Sequence, residues 1–248
     1  MIRIGTSGWQ YADWAERFYP RGLPKSQWLA FFSARFATVE VNNTFYRLPN
    51  EQAFVRWRRE TPADFVVTVK ASRYITHIRR LRDSEDAVKL FWTRCRGLGD
   101  KLGPVLFQLP PRFPADTQRL REFCRHLPKT MRAAFEFRDT SWEVPETYRI
   151  LEEAGAAFVL ADSPGARVPE VVTGGWSYVR FHKGTRRNPG YTRAKLARWA
   201  DRIAAMAASE VFVYFNNDTG GAALRDAARL RQLLRDRGCA VAGAAQES

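Results

Sequence analysis

Short runs rich in β-branched and aromatic residues recur down the whole chain: IRIGTS, TVEVNN, FVVTVKA, PVLFQLP, RAAFEFR, AAFVLAD, SYVRFHK and VFVYFNN. Runs of this length and composition predict strands. Most are followed by a segment with helical character. PKSQWLAFFSARF, EQAFVRWRRE and SEDAVKLFWTRC follow the first three; DTQRLREFCRHL and PETYRILEEAG follow the fourth and fifth; TRAKLARWADRIAAMA and GAALRDAARLRQLL follow the seventh and eighth. Val88, Phe91, Trp92 and Cys95, and again Ala223, Ala227, Leu230 and Leu234, form apolar stripes at helical spacing, which predict helices packed on a sheet rather than cofactor boxes. Strand alternating with helix implies a parallel sheet with right-handed crossovers. Eight such units in 248 residues match a (β/α)8 TIM barrel, with a doubly wound open sheet as the alternative. The sixth unit, SPGARVPEVVTGG, carries no helical stripe, so an incomplete sixth helix is expected. No linker, low-complexity tract or short repeat divides the chain, and residues 1–248 are read as a single domain.

Side chains two apart along a strand share a face. Applied to each run, this alternation places a polar set inside the barrel near the C-terminal strand ends: Thr6; Glu40 and Asn42; Thr68 and Lys70; Gln108; Glu136 and Arg138; Asp162; Arg180 and His182; Tyr214, Asn216 and Asp218. Inward positions earlier in the strands are mostly apolar or small, including Ile4, Val66, Leu106, Ala134 and Leu160. Polarity is thus expected at one end of the barrel, where barrel enzymes carry their chemistry. A mutually paired network that only stabilises the barrel is the competing structural reading, with Lys70, Arg138 and Arg180 balancing Glu40, Glu136 and Asp162.

Motifs along the chain point to a family. GTSGWQYADW, FYP at 18–20, VEVNNTFYRLP at 39–49, VKASRYITH at 69–77, LFQLPP at 106–111, FEFRDTSW at 135–142, LADSP at 160–164, VRFHKG at 179–184 and YFNNDTGGAA at 214–223 together cover essentially the whole length. On these motifs the chain resembles the domain of unknown function 72 family, also called YecE-like. The resemblance implies a TIM barrel and supplies no reaction. Positions that it carries over include Trp9, Tyr11, Glu40, Asn42, Tyr46, Lys70, His77, Gln108, Glu136, Arg138, Asp162, Arg180, His182, Asn216, Asn217 and Asp218.

Charge narrows the partner. The chain carries a net +14, and 33 of its 40 basic residues are arginine, with Arg73, Arg79, Arg80 and Arg82 crowded together. Such a balance suits an anionic ligand or nucleic acid, although arginine-rich solvated helix faces account for part of it. The loop after the seventh strand, HKGTRRNPG, brings Lys183, Arg186 and Arg187; NDTGGAA after the eighth exposes backbone N–H groups at a helix start. Loops seven and eight of barrels often hold phosphate. Trp9, Tyr11, Tyr46, Tyr74 and Trp142 lie after strands one, two, three and five, where aromatics suit stacking on bases or sugar rings. No apolar stretch approaches the ~20 residues of a membrane span, and no membrane partner is expected. Cys95, Cys124 and Cys239 are too few and scattered for a disulfide framework, which points to a reducing cytoplasm.

For chemistry, Glu136 and Glu40 face each other across the barrel and are candidate acid–base groups, with His182 closest to neutrality among the titrating side chains. Lys70, Arg138 and Arg180 would steady anions, Asn42, Gln108, Asn216 and Asn217 would orient substrate, and Asp162 would position Arg180. Strands four and seven end in Gln108 and His182, which argues against a common retaining-glycosidase plan. Glu136, Asp162, His182 and Asp218 have metal-ligand chemistry, but interleaved Arg138 and Arg180 oppose a divalent cation, so no cofactor or metal is expected. The expectation is an acid–base enzyme of hydrolase, lyase or isomerase type acting on an anionic, ring-bearing substrate such as a nucleotide, a nucleic-acid end or abasic site, or a sugar phosphate. The alternatives are a non-catalytic nucleic-acid-binding protein and a metal-dependent barrel of endonuclease or sugar-isomerase type.

Overall fold

The computed structural model describes residues 1–163, 167–182 and 189–243. Among the described residues there are eight strands: β1 (Ile2–Thr6), β2 (Thr38–Val41), β3 (Val66–Lys70), β4 (Leu102–Gln108), β5 (Ala133–Glu136), β6 (Ala157–Asp162), β7 (Ser177–Phe181) and β8 (Val211–Phe215). Every pair is parallel and the order is β1-β8-β7-β6-β5-β4-β3-β2. Neighbours in sequence are neighbours in space all the way round, and a parallel bridge between Ser7 and Glu40 brings β1 to β2. The result is a nearly closed TIM barrel. A doubly wound sheet would reverse its strand order at a switch point, and none occurs here.

The helices are α1 (Trp28–Ser33), α2 (Glu51–Arg59), α3 (Glu85–Cys95), α4 (Thr117–His126), α5 (Pro145–Glu153), α6 (Arg193–Ala204) and α7 (Ala222–Arg235). Each places the apolar stripe of its sequence against the outside of the sheet. Three begin at side-chain caps: Asn50, Asp116 and Thr192 accept from the N–H of Ala53, Arg119 and Lys195. Each satisfies a backbone donor that the first turn would otherwise leave open. Between β6 and β7 the described residues contain no helix, as SPGARVPEVVTGG foreshadows; the segment is pinned by Thr173, whose hydroxyl donates to the Ala156 carbonyl and accepts from the Phe158 N–H. No helix among the described residues is long and apolar enough to cross a membrane.

Two apolar layers result. The outer one lies between sheet and helices; the inner one fills the barrel with Leu106, Ala134, Ala157, Val159, Trp176, Tyr178, Phe212 and Tyr214. This assignment corrects two strands. Ile4 and Leu160, expected inside, pack in the outer layer, so Thr6 and Asp162 share that outward face. On β1 the inward positions are Arg3 and Gly5, in register with Phe212 and Tyr214, and then Ser7. A Cβ on Gly5 would sit 2.1 Å from the Thr38 carbonyl oxygen, so the missing side chain is what lets β1 approach β2.

Candidate active site at the C-terminal mouth of the barrel

Inside the barrel, polarity rises from the apolar layer toward the C-terminal end. Tyr214 sends its hydroxyl between those of Thr38 and Thr68, 2.7 Å from each. One layer higher, Arg180 joins the two glutamates that face each other across the barrel. Its Nη2 lies 2.7 Å from Glu40 Oε1 and its Nη1 2.5 Å from Glu136 Oε2, with all three side chains almost completely buried. Glu40 also accepts from Ser7 Oγ at 2.6 Å and from Tyr178 Oη at 2.5 Å. Glu136 Oε1 faces Arg138 Nε at 2.6 Å and His182 Nε2 at 3.2 Å. Asn216 Nδ2 lies 3.2 Å from His182 Nδ1, and Arg180 Nη1 lies 3.2 Å from His182 Nε2.

These contacts decide protonation. Burial alone would raise the Glu40 carboxyl, but the charge and hydrogen bonds of Arg180, with those of Ser7 and Tyr178, outweigh it and hold Glu40 below the usual carboxylate range. Glu136 is also opposed by burial and is driven further down by Arg180, His182 and Arg138. Both glutamates stay ionised at neutral pH. His182 is lowered by burial first, against the attraction of Glu136, and stays neutral. Lys70, at the end of β3, is lowered to about 8, by burial first and then by the positive charge of Arg180. Its ammonium lies 4.2 Å over the Phe45 ring, and no carboxylate is within ion-pair distance among the described residues.

Of the residues singled out in the sequence, Glu40, Lys70, Glu136, Arg138, Arg180 and His182 converge on this mouth, with Gln108 beside Glu136 in the β4–β5 register and Asn216 on His182. Asn42 continues the inward parity of Glu40, and its Oδ1 is buried without a hydrogen-bond partner. Tyr11 donates from Oη to the Ser7 carbonyl, and burial followed by the Asp218 carboxylate raises its phenol. Asp218 lies nearby, raised by burial, and its carbonyl accepts from Trp14 Nε1. Tyr46 is 83% exposed on the rim. His77 packs edge-on against Phe45, with Nδ1 2.9 Å from Thr76 Oγ1. Arg80 extends over Phe113.

Other expected residues sit elsewhere. Asp162 faces α6, where Oδ1 pairs with Lys195 Nζ and Oδ2 accepts from Trp199 Nε1, each at 2.7 Å, so it does not position Arg180. The four residues of the metal reading therefore do not converge. Thr6 faces outward and closes a turn by donating to the Gly8 carbonyl. Trp9 is buried against Trp57, and Trp142 is buried with its Nε1 on the Phe113 carbonyl, so both anchor loops. Asn217 donates to the Pro189 carbonyl and to Asp226, fastening the loop ahead of α6. Lys183, with Arg186 and Arg187, lies outside the described residues. Two residues of the site, Ser7 and Tyr178, are absent from the polar set that the alternation predicts. Tyr178 shares the parity of Arg180 and was available to it; the glycine before Thr6 was the signal for Ser7.

The rim after β3 has its own signature. Tyr74–Ile78 form a single π-helical turn, and Arg80, Leu81 and Asp83 follow with φ of 49°, 70° and 39°. Non-glycine residues in this region carry strain that tends to gather at functional sites.

The family model described as "Protein of unknown function DUF72" matches residues 3–247. The chain belongs to the DUF72 family. The UPF0759 protein YunF of Bacillus subtilis is 28% identical, with 94% of this chain and 95% of YunF aligned. The UPF0759 protein YecE of Escherichia coli is 31% identical over 66% of this chain and 60% of its own length. The crystal structure of a DUF72 family protein (TM1631) from Thermotoga maritima superposes with a TM-score of 0.85 at 29% identity, covering 95% of this chain and 99% of that one. A DUF72 family protein (EF0366) from Enterococcus faecalis, at 20% identity and a TM-score of 0.81 over 100% and 99% of the two chains, shares the fold.

Proposed function

We propose that the barrel mouth is the active site of an enzyme for a small anionic, ring-bearing substrate, such as a nucleotide or nucleic-acid end or a sugar phosphate, on which it performs acid–base chemistry of hydrolase, lyase or isomerase type. One observation carries this reading. The buried carboxylates are already neutralised by Arg180 and Arg138, while Lys70 stands beside them with no anionic partner among the described residues. A site with positive charge left over, walled by protein, attracts an anion more strongly than water-exposed charge does. The unpartnered Asn42 Oδ1 and the amide of Gln108 add orienting groups.

The division of labour differs from the one expected from sequence. Glu40 and Glu136, kept ionised by the basic groups around them, serve to hold Arg180, Arg138 and His182 in place. Proton transfer falls to His182, lowered and kept neutral by burial, and to Lys70, lowered to about 8. Three unpaired cysteines, of which Cys95 is buried, suit a reducing cytoplasm.

The test is calorimetric titration with inorganic phosphate and a nucleoside monophosphate. Arg138→Ala removes an exposed-side charge-assisted hydrogen bond worth about 1.5–3 kcal/mol, so affinity is expected to fall roughly 10- to 100-fold with the fold intact. Unchanged affinity in that variant would remove the mouth as the anion site. A nucleic-acid strand as substrate is favoured by four exposed residues, Tyr46, Tyr74, Arg73 and Arg80. It calls for binding that weakens steeply with salt over several phosphates, which a mononucleotide lacks.

A further inference from the structure

We infer that Lys70 is a nucleophile that forms an imine with the carbonyl group of an anionic aldehyde or ketone, the open-chain form of a sugar phosphate being the substrate class that fits. The choice of an anionic carbonyl rests on the reading of the mouth as an anion site; the imine itself rests on Lys70 and its surroundings. Lys70 ends a barrel strand and points inward above Thr68, on the rigid part of the fold rather than on a loop. Its backbone carbonyl is held by Thr44 Oγ1 at 2.7 Å, and its side chain lies along Phe45, so the nitrogen is confined to one wall of the mouth. A lysine that serves structure is tied to acceptors. Lys101 shows this in the same molecule, with Nζ on the Arg58 and Thr61 carbonyls and the Thr61 hydroxyl. Lys195 shows it again on Asp162. Among the described residues Lys70 has neither kind of partner. The charged groups acting on it are Arg180 and Arg138, which favour the free amine, and Glu40 and Glu136, which oppose it; burial decides for the amine, and a substantial fraction is unprotonated just above neutral pH. An apolar wall and a cationic neighbour are how lysine is made nucleophilic.

His77 supplies the proton path. Burial and then the positive charge of Lys70 lower its ring and keep it neutral, and its Nδ1 is engaged by Thr76. The ammonium first releases a proton to solvent. The Lys70 nitrogen pair then attacks the carbonyl carbon, forming the C–N bond while the C=O π pair moves to oxygen. One nitrogen proton passes through His77 Nε2 to that oxygen. A second proton from solvent lets the hydroxyl leave as water with its bonding pair, and the nitrogen pair closes the C=N bond. Ammonium and carbonyl become iminium and water, and no redox partner is needed. The iminium, beside the Arg180–Glu136 network, then acidifies the neighbouring carbon, which is the chemistry of a lyase or isomerase.

The test uses glyceraldehyde 3-phosphate with cyanoborohydride, which traps an imine by delivering hydride to its carbon, followed by peptide mapping. Exposed Lys89 and Lys129 are internal references. The expected result is an adduct at Lys70 at least tenfold ahead of either reference, with a rate rising through about pH 8 and suppressed by inorganic phosphate. Lys70→Arg should lose that adduct alone. Equal labelling of Lys89 and Lys129, or no adduct at Lys70 while a separate titration shows phosphate bound, overturns the imine. Labelling confined to Lys70 that phosphate does not slow keeps the imine and overturns the anion reading instead.

Discussion

The two ends of the barrel solve opposite problems with the same residue types. At the N-terminal end one carboxylate serves two arginines: Glu210 lies 2.9 Å from Arg3 Nε and 2.7 Å from Arg132 Nη1. Arg132 also stacks over Trp176 at 4.5 Å and over Phe212 at 5.1 Å, so its charge is spent on a plug. At the C-terminal end one arginine serves two carboxylates, and three further basic side chains, Lys70, Arg138 and His182, stand above them. The first end shares one charge among donors that water and aromatic faces also satisfy. The second buries Arg180, Glu40 and Glu136 almost completely and leaves Lys70 without a carboxylate partner among the described residues. Buried ion networks are an expensive way to stabilise a fold. One that ends in unsatisfied groups facing the strand C-termini is better explained by what those groups bind.

The largest effect that tests this contrast is at Arg180. Arg180→Ala strands two ionised carboxylates in a dry interior, and removing one partner of a buried pair costs about 3–5 kcal/mol. Urea denaturation at neutral pH should therefore show a midpoint sharply lowered, or no cooperative transition. A variant as stable as the parent would mean that water already reaches the network.

Next in size is Lys70, with the opposite sign. Its folded value, about 8, lies below that of a free lysine, so charging it opposes folding. Between about 8 and about 10.4 the unfolded chain binds the proton that the native state has released, and stability rises with pH across that window. Lys70→Met should flatten that rise and gain on the order of 1–3 kcal/mol at pH 7, while losing phosphate affinity. Denaturation at pH 7, 9 and 10.5 checks both; a destabilised Lys70→Met with an unchanged pH slope would show that Lys70 is paired in solution.

How much of this was legible in the sequence follows from which residues mark a face. On β2, β5 and β7 the charged residues themselves break the alternation, so Glu40, Glu136 and Arg180 could be placed inside from the pattern alone. On β6 both parities are apolar or small until Asp162, and nothing local says which one is inner. Register decides it: Ala161 lies opposite Arg180, and Asp162 is claimed by Lys195 and Trp199 from a helix more than thirty residues later. β1 failed for another reason, because its inward position is a glycine that alternation cannot weigh. The loop aromatics misled in a third way. Trp9 and Trp142 have the composition of a stacking platform, but only packing shows that they fill the space under their loops, while Tyr46 stays exposed. Protonation was least legible of all. The polar pattern offers Glu40 and Glu136 as proton carriers, whereas the guanidinium between them makes both fixed anions.

The smallest effect falls at the plug and sharpens the comparison from the other side. Burial raises the Glu210 carboxyl, and hydrogen bonds and charge from Arg132 and Arg3 bring it below its ordinary value. A carboxylate lowered in the native state contributes stability above the unfolded value of about 4.3, and that contribution disappears as pH falls through the folded value. Glu210→Gln should thus lose about 1 kcal/mol or less at pH 7 and a smaller amount at pH 4, since the glutamine is still within reach of both arginines and neither is left in a dry interior. Phosphate affinity should not change, because the plug lies at the far end of the barrel from Lys70 and Arg138. Denaturation at the two pH values beside a phosphate titration reads both quantities. A loss matching that of Arg180→Ala would make the two ends energetically alike, and a weakened phosphate affinity would mean that the anion binds at the plug.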